Sequence, residues 1–305
     1  MADFANIERV GAHACTVGES PVWSAREQAW LWVDIPARRI WRLDAASAAL
    51  RSWSTPEMAA CLSPTASGGI IAGMESGIFK VTLGENEGEG GAEGGVASIE
   101  RLAAPAELKP GMRFNDGRCD RQGRFWSGIM VLDMAEARAE GHLYRYGSGE
   151  GISAPVVSNL IVQNGLGFSP DGRTMYLSDS HMSRQLIWAF DYDTDSGTPT
   201  RQRVFVDMNQ YPGRPDGAAI DSDGCYWICA NDAGRLLRFT PEGKLDRTIE
   251  LPMAKPSMCA FGGKDLDTLL VTSIAAGKAE GDVWAGATVL LKPGVKGCAE
   301  TAFRD

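Results

Sequence analysis

Short apolar runs rich in aromatic and β-branched residues alternate with polar turns along almost the whole chain. Such runs are too short for helices and have the composition typical of β-strands. The turns include Asp171-Gly172 and Asp223-Gly224, where glycine accommodates a positive φ and aspartate bonds to nearby backbone. The pattern predicts an all-β protein built from hairpins.

One unit, consisting of an apolar run, a polar turn and a second apolar run, recurs six times. Its starts fall near positions 19, 60, 115, 164, 216 and 258, at an average interval of about 48 residues. Residues 164–206 and 216–250 each contain four strand-like runs joined by turns. Four-stranded units arranged radially form a propeller. We therefore predict a six-bladed β-propeller of four-stranded antiparallel blades around a central channel, in a single domain over residues 1–305.

A β-sandwich, or two small β domains, is the alternative architecture. The same register recurs too often for a sandwich, which favours the propeller. Trp32, Trp126 and Trp227 recur at one position of the repeat, which predicts packing between blades. The segment GENEGEGGAEGG, residues 84–95, is either an acidic cation-binding loop or a solvated hairpin extension, and its composition favours the extension.

The charge and the cysteine content of the chain limit the kinds of binding partner and the cellular compartment that are expected. The chain has 39 acidic and 30 basic residues, a net charge of −9, which disfavours nucleic acid and anionic membranes as partners. No apolar stretch is long enough for a membrane span, and the first residues do not resemble a secretory signal. Seven scattered cysteines without a CxxC pair indicate reduced thiols. We expect a cytoplasmic protein, monomeric or a small homo-oligomer.

Four of the six repeats begin with an oxygen-bearing side chain that is followed closely by Gly or Pro: Glu19, Asn115, Asn164 and Asp216. Inner strands of a propeller point their leading ends at the channel mouth, so these side chains are expected to converge. The carboxylates of Glu19 and Asp216 and the amide of Asn164 form a hard-oxygen set that suits Ca²⁺, Mg²⁺ or Mn²⁺. Asn-Gly and Asp-Gly are also common turn pairs, so a role in capping turns is the alternative.

The chain resembles the SMP-30/gluconolactonase/regucalcin family of six-bladed propeller lactonases. The matching motifs extend from residue 18 to about residue 273 and occur in the same order and spacing. They are Gly18-Glu19-Ser20-Pro21-Val22-Trp23, Val33-Asp34-Ile35, Arg113-Phe114-Asn115-Asp116-Gly117, Gly123-Arg124-Phe125-Trp126-Ser127-Gly128, Asn164-Gly165-Leu166, Ser169-Pro170-Asp171-Gly172, Pro215-Asp216-Gly217 and Cys259-Ala260-Phe261-Gly262-Gly263.

The resemblance implies one divalent cation at the channel mouth, which could be Ca²⁺, Mg²⁺, Mn²⁺ or Zn²⁺. Its ligands would be the residues Glu19, Asn164 and Asp216. It also implies that Arg113 and Asn115 contact the substrate. A further family carboxylate, usually Glu, corresponds here to Asp133, whose side chain is one methylene shorter and which puts the size or identity of the sugar in question.

Hydrolysis of a sugar-acid lactone such as glucono-, arabinono- or xylonolactone is the predicted reaction, with Asp216 as both ligand and general base. Arg113 and Asn115 can bond ring or hydroxyl oxygens. A nucleophile elbow of the form GxSxG and a dinucleotide-binding GxGxxG are absent from the sequence, which contains only three histidines. Two alternatives stay open: a metal-dependent phosphotriesterase or aryl esterase, and a non-catalytic calcium-binding regulator of the regucalcin type.

Overall fold

A computed structural model describes residues 4, 6–84, 93–278 and 280–305. The predicted acidic loop at residues 84–95 falls mostly on residues 85–92, which lie outside the described residues. Strands dominate the described part of the chain, with two single-turn 3-10 helices at Met134–Glu136 and Met208–Gln210.

The strands of the described residues form five sheets. One eight-stranded sheet contains β2 (Gly18–Ser24), β3 (Ala29–Asp34), β4 (Arg39–Asp44), β5 (Leu50–Ser54), β6 (Ala59–Pro64), β7 (Ile70–Met74), β8 (Ile78–Leu83) and β9 (Glu93–Ala103). A five-stranded sheet contains β10 (Met112–Cys119), β11 (Phe125–Val131), β12 (Gly141–Gly147), β13 (Gly151–Ile152) and β14 (Val157–Leu160). Two four-stranded sheets follow, β15 (Gln163–Phe168), β16 (Thr174–Asp179), β17 (Leu186–Asp193) and β18 (Thr198–Asp207), then β19 (Arg214–Ile220), β20 (Tyr226–Asn231), β21 (Arg235–Phe239) and β22 (Leu245–Glu250). The last sheet contains β23 (Pro256–Gly262), β24 (Thr268–Ser273), β25 (Val289–Leu291) and the N-terminal β1 (Ile7–Arg9).

The predicted turns form as their chemistry requires. In the β15–β16 turn, the Asp171 carboxylate accepts hydrogen bonds from the Ser169 hydroxyl at 2.6 Å and from the Arg173 amide at 3.0 Å. Gly172 follows with a φ of +72°, which L-residues with a side chain rarely adopt. Because these bonds hold the chain reversal locally, the four runs predicted in residues 164–206 pair as consecutive antiparallel strands.

The eight-stranded sheet consists of two antiparallel halves, β2–β5 and β6–β9. A single parallel pairing, of β5 with β9 through Ser52 with Glu93 and Ser54 with Val96, joins the halves. Every other pairing of strands in the described residues is antiparallel.

The leading strands of the repeats pack side by side as a closed ring. In chain order β2, β6, β10, β15, β19 and β23 each contact the next, and β23 contacts β2. Strand β1 joins the last sheet by pairing with β25, so the two ends of the chain are tied together. The prediction of an all-β protein with a propeller-like arrangement of small antiparallel sheets is confirmed.

Most of the apolar core lies between adjacent sheets. Trp32, Trp126 and Trp227 are fully buried, as their shared position in the repeat predicted. The indole of Trp227 donates to the buried carboxylate of Asp221 at 2.8 Å. The indole of Trp126 donates in the same way to Asp120 at 3.3 Å. These aspartates satisfy the indole nitrogens of Trp126 and Trp227, the one polar atom that each of these two side chains carries.

The C-terminal segment crosses the end of the ring where the leading strands finish. Gly297 bridges to Asp221, and Phe303 bridges to Thr65. Between them, Glu300 pairs with the buried Arg118 at 3.2 Å. The opposite end, where the leading strands begin, is the end that carries the predicted site residues.

Two further observations concern membrane and redox chemistry. Within the described residues, helices of the length and apolarity needed to cross a membrane are absent. The seven cysteines are free thiols, and all except Cys298 are buried.

Candidate functional site

The pairing of each leading strand with its neighbour is interrupted by an irregularity at the same place. In β2 the register shifts between Glu19 and Val22, in β15 between Asn164 and Gly167, and in β19 between Pro215 and Ala218. Bulges of this kind re-aim side chains that regular pleating would point elsewhere. The predicted ligands therefore lie inside strands at irregular positions, and not in the turns that the alternative interpretation required.

A cavity of about 240 Å³ opens where the leading strands begin. Five of the six predicted site residues line it together: Glu19, Arg113, Asn115, Asn164 and Asp216. They come from four strands, β2, β10, β15 and β19, that are separated by up to almost 200 positions in the sequence. The apolar side chains of Val17, Ile35, Met130, Met134, Val162 and Ile274 line the same cavity.

Hydrogen bonds from the neighbouring second strands orient two of the predicted ligands. The Asn231 amide donates to the Asp216 carboxylate at 2.6 Å. The Asn164 amide nitrogen donates to the Ser180 hydroxyl at 2.8 Å. This second bond uses the nitrogen, so the amide oxygen of Asn164 is the atom that could serve as the predicted ligand.

Arg113 and Asn115 form a connected pair at the cavity wall. The Arg113 guanidinium donates to the Asn115 side-chain oxygen at 2.7 Å and to the Phe114 carbonyl at 2.8 Å. The Asn115 amide then donates to the Gln163 carbonyl at 2.7 Å. Asn115 thereby holds the Arg113 guanidinium in position. The guanidinium has five N–H donors, so it keeps donors beyond those used in these two bonds.

The two carboxylates are buried close enough to influence each other. Burial raises the pKa of Glu19 well above its usual value, and the charges of Asp216 and Asp116 raise it further. Burial also raises the pKa of Asp216 to about 7, against the opposing effects of the nearby Arg214 charge and the hydrogen bond from Asn231. Burial thus shifts both acids toward the neutral form, and a positive charge between them would shift them back toward the ionised form.

These residues fit a hard divalent cation by donor chemistry. Metal-binding groups of three or more His, Cys, Asp or Glu side chains do not occur in the part of the chain that the structure describes. The predicted set has only two such side chains, and its third donor is an amide oxygen. Two carboxylates and an amide suit Ca²⁺, Mg²⁺ or Mn²⁺. A cation would also relieve the repulsion between Glu19 and Asp216.

Asp133 lies apart from the other five predicted residues. It is exposed and caps the helix Met134–Glu136, where its carboxylate accepts from the Ala135 amide at 3.0 Å. Its neighbour Met134 lines the cavity, whereas Asp133 is not among the lining residues. A substrate contact from Asp133 therefore stays a prediction.

Four polar residues of the cavity were not predicted from the sequence: Ser180, Arg214, Asn231 and Lys255. Ser180 and Asn231 are at or just beyond the ends of β16 and β20, the second strands of their repeats. Comparing the ends of the second strands, as was done for the starts of the leading strands, would have drawn attention to both. Arg214 and Lys255 carry no such signal, because only the ring closure brings them to the cavity.

Comparison with known proteins agrees with this architecture. A crystal structure of regucalcin from Agrobacterium tumefaciens, described as a calcium-binding protein, superposes with a TM-score of 0.87 at 24% identity and covers 98% of this chain and 97% of its own. A structure of luciferin-regenerating enzyme superposes with a TM-score of 0.86 at 25% identity, over 98% of this chain and 99% of its own.

Sequence comparison identifies the family. A 6-deoxy-6-sulfogluconolactonase from Pseudomonas putida is 38% identical over 94% of each chain. Regucalcin from Xenopus laevis is 32% identical over 97% of this chain and 98% of its own. The profile of the SMP-30/Gluconolactonase/LRE-like region matches residues 17–275. The resemblance seen in the sequence motifs is thus confirmed, and the chain belongs to the SMP-30/gluconolactonase/LRE-like family.

Proposed function

We propose that the protein is a divalent-metal-dependent hydrolase of a sugar-acid lactone, an aldonolactone that it opens to the aldonic acid. The convergence of Glu19, Asn164 and Asp216 with Arg113 on one cavity carries this proposal. A lactonase relative, the Pseudomonas putida 6-deoxy-6-sulfogluconolactonase, supports the substrate class.

We further propose that the fold is a six-bladed propeller, with β2–β5 and β6–β9 as two separate blades. Six leading strands close the ring, and among the described residues the β-ladder pairing between the halves of the eight-stranded sheet is the short parallel one of β5 with β9. A cavity at the starts of these strands then lies at the mouth of the central channel.

Each side chain has a part in the chemistry. Glu19, Asn164 and Asp216 would hold the cation, which when bound polarises the ester carbonyl and acidifies water. Asp216 accepts the proton of the attacking water, and the hydrogen bond from Asn231 keeps its carboxylate in place. Arg113 donates to ring or hydroxyl oxygens of the sugar from a position that Asn115 fixes.

The cavity suits a small polar ligand. Its volume of about 240 Å³ is below the roughly 300–1,000 Å³ of sites for drug-sized ligands. An aldonolactone is a reactive ester that carries several hydroxyls, so it requires modest rate acceleration and many hydrogen bonds.

The test adds Mg²⁺, Mn²⁺, Ca²⁺ or Zn²⁺ to metal-stripped protein and measures the release of acid from a set of aldonolactones. We expect hydrolysis that depends on an added cation and that is lost in Asp216→Ala. Full activity in Asp216→Ala would remove the proposed mechanism. Faster cleavage of phosphotriesters or aryl esters than of lactones would favour that second hydrolase class.

A non-catalytic calcium-binding protein is the second candidate, because relatives that match along the whole chain are named regucalcin and one is described as calcium-binding. Tight Ca²⁺ binding without hydrolysis of any of these esters would favour it.

A further inference from the structure

The basic side chains of the cavity outnumber the acidic ones, although the whole chain carries a net charge of −9. Arg113, Arg214 and Lys255 line the cavity against Glu19 and Asp216. A divalent cation bound by the two acids would cancel their charge. Three basic groups then remain, and the nearby Asp232 offsets one of them, which leaves a positive surplus that favours a ligand with negative charge.

Arg214 and Lys255 form one side of this cavity. Arg214 is the first residue of β19, and Lys255 immediately precedes β23, so the two come from neighbouring strands of the ring. Both approach the partly exposed carboxylate of Asp232, Arg214 Nε at 2.7 Å and Lys255 Nζ at 3.8 Å. The single carboxylate of Asp232 thus faces two basic side chains, so Arg214, Lys255 and Asp232 together keep a net positive charge.

Both side chains keep hydrogen-bond donors to spare. The Lys255 ammonium donates to the Ala276 carbonyl at 3.0 Å, and its approach to Asp232 is long. Arg214 donates to Asp232 through Nε and to Asn231 only at 3.5 Å. Since Arg and Lys offer five and three donors, an oxyanion can be bound without breaking these contacts.

The distance to the proposed reaction centre suits a sugar lactone. Arg214 precedes Asp216 by two positions on β19, which corresponds to about 7 Å between their Cα atoms. In a six-carbon 1,5-lactone, the carbonyl carbon and a group attached to the terminal carbon are four bonds of about 1.5 Å apart through the ring oxygen, or roughly 5 Å in space. The two lengths are of the same order, and the charge of Arg214 acts on the Asp216 carboxylate, so a substrate with its carbonyl at Asp216 can extend its far end toward Arg214.

We propose that Arg214 and Lys255 form an anion subsite that selects aldonolactones bearing a tetrahedral oxyanion, sulfonate or phosphate, on the carbon remote from the lactone carbonyl. This inference rests on the proposed lactonase function and specifies its substrate. Apolar side chains, which include Ile35, Met130 and Val162, line other parts of the cavity and cannot bind such a charge. The third basic residue, Arg113, is the one proposed above to bond the ring and hydroxyl oxygens of the sugar.

The experiment compares kcat/KM for three substrates, glucono-1,5-lactone and its 6-sulfonate and 6-phosphate analogues, with saturating cation. We expect the native protein to prefer an anionic lactone, and the preference to fall as NaCl is raised. Lys255→Gln and Arg214→Gln should each lower the ratio of anionic to neutral kcat/KM by roughly tenfold. Arg214 also acts on Asp216, so its loss affects the hydrolysis of the anionic and the neutral lactone alike. The ratio of their kcat/KM values is therefore the quantity to compare.

Arg235→Gln is the matched control, because it removes a basic charge that pairs with Glu250 away from the cavity. It should leave the ratio unchanged. A native ratio of one or less, or a ratio that neither Lys255→Gln nor Arg214→Gln lowers, would overturn the anion subsite while leaving the lactonase proposal intact. The two analogues distinguish a sulfonate site from a phosphate site.

If the proposed lactonase function is wrong, the result is different: none of the three lactones is hydrolysed. In that case calorimetric titration with 6-phosphogluconate, using gluconate as the neutral-ended comparison, still tests the subsite. Stronger binding of 6-phosphogluconate that Lys255→Gln weakens roughly tenfold would support the subsite. Equal binding of the two acids would refute it.

Discussion

Replacing Asp216 by Asn tests whether the buried acids are arranged for a cation. Burial raises the pKa of Asp216 from 3.8 to about 7 in the folded protein. The folded state therefore binds more protons than the unfolded state between these pH values, and its stability falls as the pH rises through this window. A shift of about three units, at about 1.4 kcal/mol each, sets a ceiling of about 4 kcal/mol for this cost above pH 7.

Asn keeps the size of Asp216 and a hydrogen-bonding partner for Asn231, but it carries no charge beside Glu19. Without metal at pH 8, we expect Asp216→Asn to be more stable than the native protein. Even a gain of 1 kcal/mol would raise the melting temperature by about 2 °C in a chain of this size. At pH 4 the advantage should disappear, because Asp216 is then protonated in the folded protein.

Added cation should reverse the order of stability, so that the native protein becomes more stable than Asp216→Asn. A cation at a free concentration of a hundred times its dissociation constant stabilises the protein that binds it by about 2.7 kcal/mol. The native protein should show this gain and Asp216→Asn should lose most of it. Thermal melts after chelation, and again after adding Ca²⁺, Mg²⁺ or Mn²⁺, measure both effects. Asp265→Asn, which removes an exposed carboxylate, is the control and should change neither.

Either of two results would contradict a cation site between these buried acids. One is a metal-free Asp216→Asn that is less stable than the native protein at pH 8. The other is an equal gain in melting temperature from cation in both proteins.

Three further predictions follow from single contacts. Asn231→Leu removes the 2.6 Å hydrogen bond to the Asp216 carboxylate, and we expect kcat/KM for the lactone to fall at least tenfold with little change in far-UV circular dichroism. Gly217→Ala would place a Cβ 2.3 Å from the Met258 side chain and 2.8 Å from its Cα, so urea unfolding should show a loss of about 1–3 kcal/mol; an unchanged midpoint would contradict this close packing. His13 lies against two tryptophan rings, and burial lowers its pKa from 6.5 to about 4, so the stability of its neutral form is present above pH 6.5 and lost as the pH falls toward 4. Between pH 8 and pH 5 the native protein should therefore lose about 2 kcal/mol more than His13→Gln, and equal losses would show that His13 titrates normally.

Much of the fold was predictable because hairpins are local. The turn at Asp171-Gly172 and the strands around it were readable from a few adjacent residues, since the side-chain bonds that form the turn span only two positions. The positions of the buried tryptophans followed from periodicity alone.

The pairing of chain ends was not predictable in this way. Ile7 pairs with Leu291, and the Ser257 hydroxyl donates to the Gly18 carbonyl, across most of the length of the chain. No local propensity encodes such contacts, and for the same reason the join between β5 and β9 was not foreseen.

Glu19, Asn164 and Asp216 could be identified as site candidates from the sequence alone, because they share one position of a repeating unit. The tertiary structure brings them together, because closure of the ring and the register shifts turn them toward one cavity. It also decided which charges surround them. Arg214 and Lys255 come together across neighbouring strands, where electrostatics depends on distance in space and not on distance along the chain.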